Sequence, residues 1–171
     1  MAKKHLARAG HASVLFIGAD NTLTSGACRF AGFHRALTEV WGDRVQIVRF
    51  SGMYSVGLGR NAAEHLLAQA LDASALFCTS DEMTIEVLEV FGARVIRVPQ
   101  DIPIIGFDDV SPQHLFSSPI TSVRQPVRAL GQRALVLLLE TDWTEPEKLP
   151  PEELMPVTLI ERSSVAPPVR P

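Results

Sequence analysis

The stretch Pro103-Ile104-Ile105-Gly106-Phe107-Asp108-Asp109, followed by Pro119-Ile120-Thr121-Ser122-Val123-Arg124-Gln125-Pro126, decides how this chain is read. The first half is a short apolar run with no polar alternation, which suits a strand covered on both faces in a parallel sheet. It releases two carboxylates at its C-terminal end, where open α/β sheets bind their ligands. The second half reads as a short extended crossover closed by Pro126.

Working outward, apolar runs alternate with helical periodicities. Ser13 to Ile17, Val45 to Phe50, Ala75 to Thr79, Ile102 to Phe107 and Val157 to Ile160 read as strands, by length and by the turn residues around them. Phe30, Phe33, Leu37, Val40 and Trp41 recur at helical spacing within a helix from Ser25 to Trp41. Gly59 to Leu71, Asp81 to about Phe91 and a strongly apolar Val127 to Glu140 complete the helices, with acidic residues at the start of the Asp81 helix complementing its dipole. This β-α-β-α order predicts an α/β fold with a parallel, doubly wound sheet.

The chain has 171 residues, 46% of them hydrophobic and 20% charged, with a formal net charge of −3. That composition builds one substantial core and gives no basic footprint for nucleic acid. Cys28 and Cys78 form neither a disulfide framework nor a metal site, and both read as small core thiols. The five histidines lack ligand spacing and read as structural or surface residues; no metal or other cofactor is expected. No apolar run reaches the ~18 residues of a membrane span. Lys3, Lys4 and Arg8 precede no apolar signal core, so the expected compartment is the cytoplasm. Prolines cluster from Pro146 onward, and a frayed tail is expected after about Ser164.

Several segments, in order, carry a resemblance. They are His5 to Gly18, Arg29 three residues before Gly32-Phe33, Ser80-Asp81-Glu82-Met83, the opening stretch through Gln125-Pro126, and Leu159 to Ser164. Together they resemble the effector-binding domain of LacI/GalR-type transcriptional regulators, a periplasmic-binding-protein-like fold. The resemblance implies a cleft between two subdomains, of which this chain supplies mainly the C-terminal one. Residues 1–124 would be the subdomain core. Residues 125–145 would be a crossover and a helix belonging to the N-terminal-type subdomain. Residues 146–171 would hold a return loop, the last strand and a flexible tail. A helix-turn-helix headpiece and most of the N-terminal subdomain would lie outside the chain, so DNA would be reached only through that headpiece.

The same resemblance implies the site. Arg29 would fork onto sugar hydroxyls or a carboxylate, Asp108 would accept from ligand hydroxyls, Gln125 would be the crossover glutamine, and Phe50 would offer an aromatic face. Ser80 stands where the family has asparagine, leaving one hydroxyl in place of a bidentate amide. The loop after Phe50 is longer than the family's. By chemistry alone, Arg29 reads as a solvated arginine at a helix start, Asp108 and Asp109 as turn caps, and Gln125 as a partner for crossover backbone. The implied partners are a small-molecule effector of sugar type and a second copy of the chain, with no membrane. Weak binding is expected because half the cleft wall is missing. Leu130, Ala134, Leu135, Leu137 and Leu138 of the last helix would then lack their partner.

Two other protein classes share features with this sequence. Ile17 to Gly26, with Asp20-Asn21-Thr22-Leu23, resembles the first motif of haloacid-dehalogenase-type phosphatases, but Gly18 occupies the nucleophile's position and has nothing to attack phosphorus with. No enzyme activity is therefore expected. A periplasmic sugar-binding protein shares the fold, and the absence of an apolar signal core argues against it.

Overall fold

Val14 to Ala19 are fully or almost fully buried, and this is the signature of β1 (Ser13–Ala19), an interior strand of the sheet. The computed structural model describes residues 6, 8–53, 56–69, 72–110, 117–144, 150 and 152–168. Six strands form one sheet in the order β2-β1-β3-β4-β5-β6. The others are β2 (Gln46–Gly52), β3 (Ala75–Cys78), β4 (Ile104–Asp108), β5 (Thr121–Arg124) and β6 (Thr158–Ile160). All neighbours run parallel except β5 and β6. The sheet is therefore mixed, where uniform parallel pairing was expected. β5 leads out of the sheet into a helix, and the chain re-enters from that same end, so its return strand must run down.

The two faces of the sheet are covered by different helices. On one face α1 (Thr24–Trp41) places Phe33 and Leu37 against Val14, Phe16, Phe77, Ile105 and Val123. Phe16 meets the Phe30 ring edge-on at 5.1 Å, and Phe33 stacks on Phe77 at 4.7 Å. Such pairs add about 0.5–1.5 kcal/mol each beyond their burial and fix how α1 lies on the sheet. On the other face α2 (Leu58–Ala68) and α3 (Asp81–Ala93) bury Leu58, Ala62, Leu66, Met83, Val87 and Phe91 against Leu15, Ile17, Leu76 and Ile104. The doubly wound arrangement thus follows from strands that are apolar on both faces.

Each predicted element is present, most of them with shifted ends. The α2 helix closes at Ala68, short of the expected Leu71, which lies outside the described residues together with His5, Tyr54, Ser55 and His114. Thr121 to Arg124, read as a crossover, pairs with β4 over four residues and is a strand in its own right. Cys28 is exposed on α1, against the expectation of a core thiol; only Cys78 is buried. The tail after Ser164 lies on the body of the protein as far as it is described. Ser164 is fully buried and bonds Ile104 O at 2.6 Å, Val165 packs on the core, and Ala166 O accepts from His11 Nε2 at 2.7 Å.

The last helix, α4 (Val127–Glu140), matches its predicted bounds and buries none of its residues. Leu135, Leu138 and Leu139 are 56%, 61% and 76% exposed, and Trp143 just beyond it is 54% exposed. No described helix is long and apolar enough to cross a membrane.

Candidate functional site

The chain leaves β1 into α1 on one face and leaves β3 into α3 on the other. Since β1 and β3 are hydrogen-bonded neighbours, their C-terminal ends diverge and open a crevice at the edge of the sheet. Four of the five residues expected to form a site, Arg29, Ser80, Asp108 and Gln125, lie along this edge.

Arg29 sits little more than a turn into α1. A Cβ at Gly26 would come within 2.6 Å of Asp20 O, so only glycine lets the helix start rest on the end of β1. That close seat carries Arg29 to the crevice, where its Nη1 donates to Thr79 O at 3.0 Å and its guanidinium lies 4.2 Å over the Phe107 ring. A guanidinium over an aromatic face is attracted by the ring's negative face, which helps to hold it in place. Thr79 is the residue after β3, and Phe107 is the residue before Asp108, so Arg29 bridges two strand ends.

Asp108 ends β4 with φ at 93°, and Asp109 follows with φ at 57°. Two successive non-glycine residues at positive φ cost on the order of 1–3 kcal/mol each, so surrounding contacts must over-determine them. Gln125 Nε2 donates to Asp108 Oδ1 at 2.6 Å, joining the β4 end to the crossover after β5. The side chain of Asp109 is 1% exposed and sits between Arg124 and Arg162, at 2.6 Å from each. Burial alone would push its carboxyl up. Hydrogen bonds and charge from Arg162 and Arg124 outweigh this and hold it below the usual carboxylate range. The next residue, Val110, donates its N–H to Asp81 Oδ2 at 2.8 Å.

Ser80 is the N-cap of α3: its Oγ accepts from Met83 N at 3.2 Å while Asp81 and Glu82 occupy the first turn. Its hydroxyl is thus engaged in its own helix, beside the Thr79 carbonyl that receives Arg29. Phe50 is not brought to this group. It pairs with Ile17 in register and therefore points to the α2 and α3 face, 5.5 Å from the His65 ring, while Phe107 and Arg29 lie on the α1 face. The strand pleat decides this, since a single position separates the two faces. Phe107 is an aromatic at the edge that sequence reasoning passed over. Asp109, Arg124 and Arg162 were also missed as a unit, although the paired Asp108-Asp109 was the visible signal.

The phosphatase motif fails on space as well as chemistry. A Cβ at Gly18 would lie 2.6 Å from Thr79 Oγ1 and 2.8 Å from the Phe16 ring, so no nucleophilic side chain can stand there. Asp20 instead accepts from the Thr22 N–H at 2.9 Å in a local turn.

The chain belongs to the periplasmic binding protein-like domain family, whose model matches residues 4–165. It is similar to an HTH-type transcriptional repressor PurR from Erwinia tasmaniensis, with 34% identity over 97% of this chain and 48% of the relative. The corresponding repressor from Pasteurella multocida is 30% identical, over 95% of this chain and 49% of the relative. Among solved structures, a LacI family regulator from Enterococcus faecium with bound ribose superposes with a TM-score of 0.81 at 27% identity, covering 97% of this chain and 61% of that one. A dimeric Lac repressor gives 0.82 at 25% identity, covering 98% and 60%. The chain spans about half the length of the curated relatives it matches. These findings agree with the resemblance to LacI-type effector-binding domains drawn from the motifs.

Proposed function

We propose that this chain is the effector-sensing portion of a LacI-type transcriptional regulator, acting in the cytoplasm and without catalytic activity of its own. Its effector is a small polar metabolite of sugar type, held at the sheet edge by Arg29, Asp108 and Gln125, with Ser80 beside them. The observation that carries this reading is the placement of Arg29 on Phe107, one residue from the Asp108–Gln125 pair, at the point where the strand ends diverge. A planar cation and a carboxylate at one crevice are chemically suited to donate to and accept from vicinal hydroxyls, and the ribose-bound neighbour supports the sugar class.

Residues 125–145, in this reading, belong to the other wall of the cleft, and the exposed leucines of α4 are the surface on which that wall is built. DNA contact belongs to the half of a regulator that this chain does not match, and a second copy of the chain is the expected protein partner. Closure of the two walls on the effector would bias the arrangement of the whole, which is how a ligand gains regulatory effect. The test is a titration of the chain with ribose, read by thermal shift. A small rise in Tm is expected, abolished by Arg29→Ala and by Asp108→Ala. Binding that survives in both variants would place the effector elsewhere.

A further inference from the structure

We infer that Asp109, whose side chain lies almost wholly inside the protein, is a positioning residue for the effector site, the anchor that presents the Asp108 carboxylate to Gln125 and the crevice. The inference rests on the proposed role of Asp108. Three consecutive residues at the end of β4 are each tied to a different part of the fold. Asp108 Oδ1 accepts from Gln125 Nε2, Asp109 holds two arginines, and Val110 N–H is held by Asp81 at the start of α3.

The middle tie is the most elaborate. Asp109 Oδ2 accepts from Arg124 Nε at 2.8 Å and Arg162 Nη2 at 3.2 Å, while Asp109 Oδ1 accepts from Arg162 Nη1 at 2.6 Å. The same Arg162 Nη1 also donates to Ile120 O at 2.6 Å. One carboxylate thus clamps the end of β5, where the chain leaves for α4, to the segment just after β6, where it has returned. Arg124 is the residue before Gln125, so the clamp fixes both members of the Asp108–Gln125 hydrogen bond at once. Positive φ at Asp108 and Asp109 has no glycine to excuse it, and this network is what holds the backbone there. A charged, two-sided partner is required: an amide can accept at one end only, and it would turn donor N–H groups toward one of the arginines.

The experiment uses the full chain labelled with ¹⁵N and compares Asp109→Asn with the parent. Amide resonances of Leu15 to Ile17 report that the sheet is intact. The Gln125 side-chain amide and the Asp108 ³J(HN–Hα) coupling report the site without any ligand. In Asp109→Asn the Gln125 side-chain signal should move toward that of a free amide, and the Asp108 coupling should change. Ribose affinity should drop about tenfold, the order expected when a charged hydrogen-bonding partner is lost. Arg124→Gln cuts only the half-exposed arm of the clamp, so it keeps the question open to measurement if Asp109→Asn does not fold. It should displace both signals in the same direction by less. Unchanged Gln125 and Asp108 signals in the folded variants would overturn the inference. So would displaced signals with undiminished affinity in a parent that binds ribose. A parent that binds no ribose would count against the proposed site, while the two ligand-free signals would still decide the role of Asp109.

Discussion

Cys78 and Cys28 occupy opposite chemical environments. Burial in β3 pushes the Cys78 thiol up to about 12, only partly opposed by its hydrogen bond with Thr84, whereas Cys28 is exposed on α1. Since the thiolate is the nucleophile, a brief maleimide treatment of native protein should add one label, on the peptide holding Cys28. In denaturant two labels should appear; two under native conditions would show that β3 opens readily. His11 makes a second residue-level case. It is fully buried, with Nε2 on Ala166 O and Nδ1 facing Ser74 Oγ at 3.0 Å. Burial pushes its imidazole below the ordinary value, against a smaller upward pull from the Ala166 carbonyl. The unfolded chain therefore takes up this proton first as the pH falls below about 6.5. Stability should decline with acidification from there until the folded ring titrates as well. Urea unfolding between pH 7.5 and 5 should show this slope, and His11→Asn should flatten it. At this scale the proximity of Asp108 and Gln125 was legible because both stand in one stretch, and Arg29 was singled out by its place three residues before Gly32. The partners of Asp109 were not, because they lie fifteen and fifty-three residues away and meet it only through strand register.

Among elements, α4 is the one whose composition and surroundings disagree. A helix this apolar is normally covered, yet it buries no residue here, and large exposed apolar patches mark interaction surfaces or association hazards. Replacing Leu135, Leu138 and Leu139 together with glutamine should leave the thermal midpoint nearly unchanged, because none of them supports the core. It should also reduce self-association at high concentration, measured by sedimentation. A marked fall in Tm would mean that these leucines are packed in solution. Helix and strand positions were readable from periodicity, including both ends of α4. The strand character of Thr121–Arg124 was not, because four residues flanked by prolines become a strand only through their β4 neighbour. The direction of β6 was equally hidden. It depends on which end of the sheet the chain re-enters, and no residue of β6 encodes that.

For the molecule as a whole, the sheet order and the divergence of β1 and β3 set where a ligand can sit, and local sequence sets what it meets there. The fold class followed from alternating apolar runs, whereas the cleft was implied by the family resemblance and by the carboxylates at the end of β4. The assignment of Phe50 to the crevice did not survive the pleat, which turns it toward α2 and α3.

The pairing of β5 with β6 brings Arg124 directly opposite Thr158, so residues 125–157 enter and leave the domain through a single doorway one strand spacing wide. Topologically the two strands are the arms of a hairpin whose connection has been lengthened to carry a helix. The connection can therefore be excised: joining Arg124 to Thr158 by Asn-Gly, the pair that favours a tight two-residue turn, leaves every other strand neighbour in place. The shortened chain should fold with an unfolding midpoint close to the parent's, since the lower closure entropy of a shorter connection offsets the loss of Val157, which packs part-buried on the core. It should also lose the Gln125 contact to Asp108, so that a stable sheet persists while its ligand edge stands open. Failure of that chain to fold would show that the domain leans on α4 after all.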